Sequence, residues 1–378
     1  MKNIKNYVSW MYKYLLSLFI SIMNYNKKNI FSIEVQSQSQ SQCQIFNVNN
    51  DCSTINICDK YDLLGPVEYT LESGGKNSRA LIIKYVQNLL YNDNNPITEQ
   101  IIKDINLVHN ASLVIDDIQD GSFKRRGVDC AYIKYGTPIS INAGYLQCFS
   151  LLNDINQNYP ESIQTQVKDI YHKYFVLMHV GQGLDLKWTT DKTIPSIEEY
   201  NTMMDNKTGW GFCCPIELCL ASRRENVSEN VKQQFLELGT YIGRFFQIRD
   251  DYINLTCPKY WQLKTFCEDF DEKKVSYIFT LLKNLDPKDI SYEYLHSKPI
   301  LSKQDKIMLY KNLYDKQILH KTYYILQNYK NKIIELEKAI TESDETSAFL
   351  MAFFKKLDIN LPIEPEKIKP FLLMSCMK

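Results

Sequence analysis

The chain has 378 residues, with 44 Lys+Arg against 44 Asp+Glu and a hydrophobic fraction of 44%. This balance of charge excludes the overall positive field that would recruit nucleic acid, so anion binding has to come from local clusters. The eleven cysteines are scattered and include no CxxC pair. That pattern fits neither a disulfide framework nor a zinc site, and it predicts a reducing, cytoplasmic location.

The first sixty residues differ in composition from the rest. Segment 7–23 (YVSWMYKYLLSLFISIM) is apolar, but Lys13 interrupts it and it is short for a membrane span. Two interpretations stay open, a peripheral membrane anchor and a helix docked on the protein's own surface. Residues 36–42 (QSQSQSQ) lack core-forming side chains and predict a disordered linker. We therefore divide the chain into an N-terminal extension, 1–60, and a folded domain, 61–378.

Apolar residues recur at spacings of three and four along the folded domain. The pattern is clearest in four segments, at 80–90, 100–115, 234–248 and 321–340. This spacing places the apolar side chains on one face of a helix. Turn-forming residues separate the segments, as in YGTP at 135–138, and strand-like alternation is missing. The pattern predicts an all-α fold, a bundle of many antiparallel helices joined by short loops.

The segment LVIDDIQDGSFKRRG (113–127) brings three aspartates together at the end of an apolar run. If the preceding helix continues through it, Asp116 and Asp120 lie one turn apart on the same face, with Asp117 beside them. Carboxylates so close repel each other unless a cation lies between them. Hard oxygen ligands with open positions are those that Mg²⁺ prefers.

Two arginines, Arg125 and Arg126, follow these aspartates. Guanidinium groups match the geometry of phosphate oxygens, so the segment predicts a diphosphate held by metal on one side and arginine on the other. Taken alone, however, an acidic helix end followed by basic residues is more often a solvated surface.

A second acidic pair, Asp250 and Asp251, ends another apolar helical run in FFQIRDDYINL (245–255). Two such helices facing each other would form a cavity with an apolar floor and an acidic mouth. That shape suits a long hydrocarbon that carries a diphosphate group. The coincidence of two clusters favours a binding site over a solvated surface.

These two segments resemble the first and second aspartate-rich motifs of the trans-isoprenyl diphosphate synthases. The second motif ends at Asn254, and in this it is similar to the second motif of the eukaryotic geranylgeranyl diphosphate synthase branch. Other segments also resemble family motifs, namely GGKNSR at 74–79, LVHNAS at 107–112, GQGLDLKW at 181–188, NKTG at 206–209 and KTFCEDFDEKKVSY at 264–277. The resemblance covers about residues 61 to 355. It implies the isoprenoid synthase fold, with helices around a deep central cavity.

The resemblance also implies a role for each matching residue. Asp116, Asp120 and Asp250 would bind Mg²⁺, with three ions in each active site, while Asp117 and Asp251 would assist. The positions implied for the allylic diphosphate are Arg125, Lys207, Thr208, Gln247, Lys264 and Lys274. Those implied for isopentenyl diphosphate are Lys76, Arg79, His109 and Arg126.

The activity that the resemblance implies is a magnesium-dependent prenyltransferase. It would condense isopentenyl diphosphate with dimethylallyl, geranyl or farnesyl diphosphate by ionisation, condensation and elimination, and give geranylgeranyl diphosphate. Residues 61–378 would form the catalytic domain. The resemblance further implies a homodimer or a higher homo-oligomer, and peripheral membrane contact through residues 7–23 stays open.

Ala111 and Ser112 lie about one turn before the first aspartates, and both are small. Small side chains there would leave room beneath the aspartates for a growing hydrocarbon, which favours a C20 over a C15 product. The alternative is that these residues only allow close packing of helices.

Three positions depart from the family pattern. Trp210 follows NKTG where the family has glycine, Tyr132 stands where related enzymes often carry histidine, and the late segment reads EKKVSYI (272–278). Tyr132 leaves a shorter-chain synthase, forming farnesyl or geranyl diphosphate, open as an alternative. Trp210 could narrow the cavity or reshape a loop, and the late segment could change the surroundings of Lys274.

Two other classes of protein share part of the pattern. A class I terpene synthase derived from the family would keep the aspartates but needs no second substrate site, so the retained Lys76, Arg79 and His109 argue against it. A non-catalytic partner of a synthase would be expected to have lost aspartates, and both clusters are intact.

Overall fold

The structure is a computed structural model, and it describes most of the predicted folded domain. The described residues are 61–75, 77–91, 96–222, 227–263 and 265–368. The predicted N-terminal extension, Lys76 and Lys264 lie outside them, so the hypotheses for these parts stay predictions. Within these ranges, no helix is both long enough and apolar enough to cross a membrane.

Helices dominate the described residues, and the predicted all-α class is confirmed. In chain order the helices are α1 (Gly65–Glu72), α2 (Ser78–Tyr91), α3 (Pro96–Asp120), α4 (Ala131–Tyr135), α5 (Thr137–Asn158), α6 (Glu161–Asp191), α7 (Ile197–Lys207), α8 (Trp210–Ala221), α9 (Glu229–Thr256), α10 (Pro258–Leu263), α11 (Glu268–Asp271), α12 (Tyr277–Leu285), α13 (Ser291–Ser297), α14 (Lys303–Asp315), α15 (Ile318–Thr341) and α16 (Ala348–Lys356). An antiparallel hairpin of two short strands, β1 (Lys124–Arg125) and β2 (Val128–Asp129), lies between α3 and α4.

Helix α3 positions the first acidic motif. Its buried face carries Ile101, Ile105 and Val108 at helical spacing, and each such burial stabilises the fold by roughly 1.5–3 kcal/mol. The helix ends at Asp120, because Gly121 follows with φ +67°. Glycine adopts this left-handed conformation without the steric cost that a side chain would add. The aspartates of the motif therefore occupy the C-terminal end of α3.

The hairpin turns the chain back at this helix end. Arg126 (φ +56°) and Gly127 (φ +87°) form its two-residue turn, and two positive φ values are those of a type I′ turn. Arg125 pairs with Val128 in the strand register. The adjacent arginines are thus in different backbone conformations and contact different partners.

Helix α9 positions the second acidic motif. It begins after Ser228, whose side chain accepts a hydrogen bond from an amide of the first turn, and residues such as Phe235 and Ile242 bury its apolar face. The helix packs against α8 and α15. A Cβ on Gly243 would lie 2.8 Å from the Cα of Gly209. Glycine therefore lets α9 approach the NKTG segment closely.

Two apolar clusters hold the described helices together. The larger one contains the biggest fully buried side chains, among them Tyr171, Tyr200, Phe212, Phe235 and Phe270. The smaller one consists of Val67, Ala111, Val114, Ala131 and Ala143. Its side chains are short, so α3 and α5 pack closely, and a Cβ on Gly144 would lie 2.8 Å from the side chain of Ile115.

The contact between α6 and α7 depends on one glycine of the GQG sequence. A Cβ on Gly181 would lie 2.3 Å from the backbone nitrogen of Lys207, whereas a Cβ on Gly183 would meet no atom within 4 Å. We expect Gly181→Ala to lower the Tm, because α7 must shift away from α6. The control Gly183→Ala should keep or raise the Tm, since alanine favours a helix over glycine by about 1 kcal/mol. Thermal denaturation followed by circular dichroism measures both, and equal Tm values would contradict the close approach.

Candidate functional site

Asp116 and Asp117 are adjacent in sequence but lie in different surroundings. Asp117 is buried, and its carboxylate accepts hydrogen bonds from Nε (2.8 Å) and Nη2 of Arg125. Asp116 is half-buried and accepts hydrogen bonds from Arg125 Nη2 (3.2 Å) and from Gln182 Nε2 (3.1 Å). Although burial lowers the pKa of Arg125, the two carboxylates raise it above its ordinary value. Arg125 therefore stays charged and links both aspartates.

Asp120 lies one helical turn after Asp116 and is half-buried. The pKa of its carboxyl is raised to about 7, mainly by burial and also by the negative charge of Asp116. The positive charges of Lys207 and Lys274 lower this pKa in part. Two carboxylates one turn apart with little solvent thus keep a proton near neutral pH unless a further cation reaches them.

Two lysines lie among the carboxylates of both motifs. Lys207 Nζ donates to Asp185 Oδ2 (2.5 Å) and lies 3.6 Å from Asp116 Oδ1. Lys274 Nζ lies 3.6 Å from Asp251 Oδ1. Burial lowers the pKa of both lysines, but the carboxylates that they contact raise it above the ordinary value. Both side chains are therefore charged.

The second acidic motif also contains one exposed and one buried carboxylate. Asp250 is exposed, and its Oδ1 accepts a hydrogen bond from the hydroxyl of Tyr260 (3.2 Å). Asp251 is buried, and its Oδ2 accepts hydrogen bonds from the hydroxyl of Tyr200 (2.7 Å) and the amide of Tyr277 (2.8 Å). Burial raises the pKa of Asp251, although the neighbouring lysine and these donors oppose the shift. Asp251 is thus bound by the protein itself.

Thr208 and Gln247 connect the NKTG segment to the second motif. Thr208 Oγ1 donates to Gln247 Oε1 (2.5 Å), and Gln247 Nε2 donates to Asp251 Oδ1 (3.1 Å). An ion pair with two hydrogen bonds (2.7 and 2.6 Å) joins Arg244 to Asp205 between the same two helices. The C-terminal end of α7 is therefore fixed on α9 by polar contacts.

A third group of predicted residues, Arg79, His109 and Arg126, is here named the arginine cluster. Arg126 Nη1 donates to the carbonyl of Thr70 (2.8 Å) and to Asn110 Oδ1 (3.2 Å). Burial and the charge of Arg126 together lower the pKa of Arg79 to about 10, with burial the larger cause. Arg79 Nε is buried without a hydrogen-bond partner. Burial and the nearby arginines lower the pKa of His109 well below its ordinary value. A neutral imidazole beside two repelling cations is complementary to an anion.

The residues predicted to affect chain length lie in different environments. Ala111 is buried in the smaller cluster between α3 and α5, which favours the packing interpretation for this residue. Ser112 is half-buried, and its Oγ donates to the carbonyl of His109 (2.8 Å). Tyr132 is half-buried, whereas Trp210 is the first residue of α8 and packs in the larger cluster. Their effects on product length stay predictions.

The carboxylates by themselves do not complete a metal site. In the part of the chain that the structure describes, no group of three or more His, Cys, Asp or Glu side chains is arranged to hold an ion. Mg²⁺ commonly binds through one or two carboxylates and completes its shell with water and substrate phosphate. The half-buried pair of Asp116 and Asp120 fits that kind of binding.

Several contacts at the site were not predicted from the sequence, and two of them show why. The first is the hydrogen bond from Tyr200 to Asp251. Tyr200 precedes Lys207 by seven residues, two helical turns, so this spacing could have placed both on one face. The second is the hydrogen bond from Ser122 Oγ to Glu272 Oε1 (2.9 Å), which joins the loop after the first motif to the late segment. A contact between residues 150 positions apart leaves no signal in one sequence.

An all-α bundle in which two aspartate-rich helices share lysines, with a half-buried arginine cluster, has the arrangement expected of a diphosphate-binding protein. The model of the polyprenyl synthetase family matches residues 61–312, and the chain belongs to that family.

Individual relatives agree with this assignment. Quiannulatene synthase of Emericella variicolor is 31% identical over 283 residues, which cover 72% of this chain and 36% of that protein. Geranylgeranyl pyrophosphate synthase of Dictyostelium discoideum is 35% identical over 233 residues, 61% of this chain and 73% of that protein. The chain thus spans about a third of the length of the first relative. The crystal structure of geranylgeranyl pyrophosphate synthetase from Pyrococcus horikoshii Ot3 superposes with a TM-score of 0.67 at 21% identity, covering 81% of this chain and 94% of that one. The predicted isoprenoid synthase fold is confirmed.

The raised pKa of Asp120 predicts a pH dependence of stability in the metal-free protein. Its carboxyl has a pKa of about 7 in the folded chain against an ordinary value of 3.8, so folding binds a proton and stability falls as the pH rises through this window. We expect Asp120→Asn to raise the Tm by about 2–5 °C at about pH 8 and to change it little at about pH 5. Thermal denaturation in EDTA measures the difference, with Asp129→Asn, an exposed position in the hairpin, as control. An equal increase at both pH values would contradict the assignment.

Proposed function

We propose that this chain is a magnesium-dependent prenyltransferase that condenses isopentenyl diphosphate with dimethylallyl, geranyl or farnesyl diphosphate to give geranylgeranyl diphosphate. The observation that carries the proposal is the position of Lys207 and Lys274 among the carboxylates of both acidic motifs. Membership of the polyprenyl synthetase family and the similarity to a protein named geranylgeranyl pyrophosphate synthase support it.

The allylic diphosphate would bind between the two motifs together with Mg²⁺, three ions in all. Asp116 and Asp120 of α3 and Asp250 of α9 would hold the metal, which neutralises the diphosphate and makes it a better leaving group. Arg125, Lys207 and Lys274 would exchange part of their contacts with carboxylates for contacts with phosphate oxygens. Thr208, Gln247 and Lys264 complete the proposed set for this substrate.

Isopentenyl diphosphate would bind at the arginine cluster together with Lys76. The buried and unpaired Nε of Arg79 is a donor that a phosphate oxygen would satisfy. Neutral His109 has one N–H to donate and adds no charge that would oppose the developing carbocation. This second site holds the double bond of isopentenyl diphosphate near the allylic carbon, and such orientation supplies a large part of the rate.

The reaction then needs no nucleophile from the protein. The allylic C–O bond breaks, its electrons leave with the diphosphate, and the double bond of isopentenyl diphosphate forms the new C–C bond. A proton is finally lost to the departed diphosphate. Lysine and arginine side chains stabilise the leaving group throughout, in surroundings where burial strengthens each charge interaction.

Product length would depend on the space beneath the first motif. Ser112 is small and half-buried, so we propose that the growing chain passes it and reaches C20. A side chain as large as Tyr132 could shorten the product if it closes that space. Farnesyl or geranyl diphosphate synthesis is therefore the alternative within the same reaction class.

A terpene synthase is the second candidate function. The similarity to quiannulatene synthase favours it, although this chain spans only 36% of that protein. The arginine cluster favours the prenyltransferase, because a cyclase that acts on one substrate has no use for a second diphosphate site.

The purified chain is expected to convert isopentenyl diphosphate and the C15 allylic diphosphate into C20 diphosphate when Mg²⁺ is present, as identified by mass spectrometry. Asp116→Ala should lower kcat/KM by at least about a hundredfold, because metal stabilisation of the leaving group is worth several kcal/mol. Asp191→Ala removes a surface carboxylate that pairs with Lys187 and serves as control.

Two results would contradict the proposal in different ways. Cyclised hydrocarbon formed without consumption of isopentenyl diphosphate would identify a terpene synthase. Near-normal activity of Asp116→Ala would refute the role of the first motif in metal binding.

We also propose that the chain forms a homodimer through α5 and α6. On α5, Ile141, Tyr145 and Phe149 follow each other at a spacing of four and are 38%, 45% and 67% exposed. On α6, Val176 and Val180 are 50% and 47% exposed at the same spacing. The two helices pack against each other, and a group of exposed apolar side chains on neighbouring helices is typical of a protein interface.

The combined change Tyr145→Glu and Phe149→Glu is expected to convert the dimer into monomers, because charges would be buried in the apolar interface. Size-exclusion chromatography with light scattering measures the mass. Tyr324→Glu places the same charge on α15, at a side chain that is 59% exposed, and should leave the dimer intact. A monomeric unmodified chain would disprove the interface.

A further inference from the structure

Residues 357–363, here named the C-terminal segment, follow α16 without forming a helix. Arg249 and Tyr252 of α9 and Tyr310 of α14 donate hydrogen bonds to its backbone carbonyls. The bonds run from Arg249 Nε to Leu357 (2.8 Å), from Arg249 Nη2 to Asp358 (3.5 Å), from Tyr252 to Asn360 (2.7 Å) and from Tyr310 to Ile363 (2.7 Å). Long side chains of two helices therefore hold this segment in place.

Helix α16 continues the contact along α9 with aromatic rings. Phe354 packs edge-on against Phe245, with ring centroids 5.5 Å apart, and Phe353 packs against Phe246 at 5.9 Å. Together, α16 and the C-terminal segment cover one side of α9 over two turns.

That side of α9 is next to the acidic motif. Phe245, Arg249 and Tyr252 recur at helical spacing and share one face. Asp250 follows Arg249 directly and therefore projects about 100° around the helix axis from it. A small rotation or tilt of α9 away from the C-terminal segment would move Asp250 and Asp251 relative to α3.

The chemistry of Arg249 favours a geometric role over simple stabilisation. The side chain is buried, and burial lowers the pKa of its guanidinium. Its hydrogen bonds go to two neutral backbone carbonyls, and the carboxylates of Asp250 and Asp358 offset the desolvation of the charge only in part. Burying this charge therefore costs free energy that an apolar side chain would not. Hydrogen bonds are directional, so they fix the orientation of α9 relative to the C-terminal segment more strictly than apolar packing does.

We propose that the C-terminal segment is a brace for α9, and that Arg249 is a positioning residue that sets the direction of the Asp250 and Asp251 side chains. The inference rests on the proposed function, in which this acidic pair serves metal and diphosphate binding. The match to the family model ends at residue 312, so the brace lies beyond the matched region.

Hydrogen exchange in the metal-free protein tests the brace directly. Arg249→Met removes both hydrogen bonds but keeps an unbranched apolar chain, and Arg249→Lys retains the charge and one donor. We expect faster exchange of the amides at 250–256 in Arg249→Met and a partial recovery in Arg249→Lys. The comparison variant is Tyr310→Phe, which removes one hydrogen bond at the far end of the segment, at Ile363, and should speed exchange of these amides less than Arg249→Met does.

Calorimetric titration of Mg²⁺ with inorganic pyrophosphate gives a second measurement. We expect the Kd to rise about tenfold in Arg249→Met, the size usually seen when support of a metal ligand is lost, and to rise less in Tyr310→Phe. If Arg249→Met does not fold, Tyr252→Phe replaces it, because it removes only a hydroxyl and should shift both measurements in the same direction.

The outcomes separate this inference from the proposed function. Equal exchange rates and equal affinities in Arg249→Met and Tyr310→Phe would overturn the brace. If the unmodified chain does not bind Mg²⁺ with pyrophosphate at all, the proposed function fails, and the exchange rates still decide whether Arg249 positions α9.

Discussion

The concentration of negative charge at the C-terminal end of α3 and in the last third of α9 is the constraint on which the rest of the site depends. The first motif occupies the C-terminal end of α3, where the helix dipole already disfavours negative charge. Burial adds a desolvation cost, which is visible in the pKa of Asp120, raised to about 7. Arg125, Lys207 and Lys274 offset this cost in part. The electrostatic free energy of these side chains would fall most if a further cation bound the carboxylates and an anion bound the basic groups at the same time.

In each pair of adjacent aspartates, one side chain is buried and the other is more exposed. Asp117 and Asp251 are each only 1% exposed, and both are bound by donors of the protein. Asp116 is half-buried and Asp250 is exposed. The second member of each pair is therefore a buried hydrogen-bond acceptor. Asp117 fixes the side chain of Arg125, and Asp251 fixes Tyr200 of α7. The first member keeps more contact with solvent, so under the proposed function two identical side chains would serve structure and binding separately.

The part of this arrangement that could be predicted from the sequence is the local part. Helical spacing alone places Asp116 and Asp120 on one face of α3, and the short hairpin keeps Arg125 close to them, so the acidic and basic groups of the first motif could be predicted to meet. The all-α class followed from the same periodicity. The division between Asp116 and Asp117 could not be predicted, because it depends on which side of α3 the hairpin returns to.

Contacts between distant residues account for what the sequence could not predict. The hydrogen bond from Tyr200 to Asp251 joins residues 51 positions apart, and the acceptor of Arg249 is a backbone carbonyl 108 positions away, which no side-chain motif can reveal. Asn254 is a further case, since its Oδ1 accepts a hydrogen bond from the amide of Asp269 (3.2 Å) and supports the short helix α11. A residue of the motif can thus hold a neighbouring element in place through a backbone contact. The inward-facing members of α9 determine where its outward-facing carboxylate can lie, and they do so through tertiary packing rather than through the spacing of the motif.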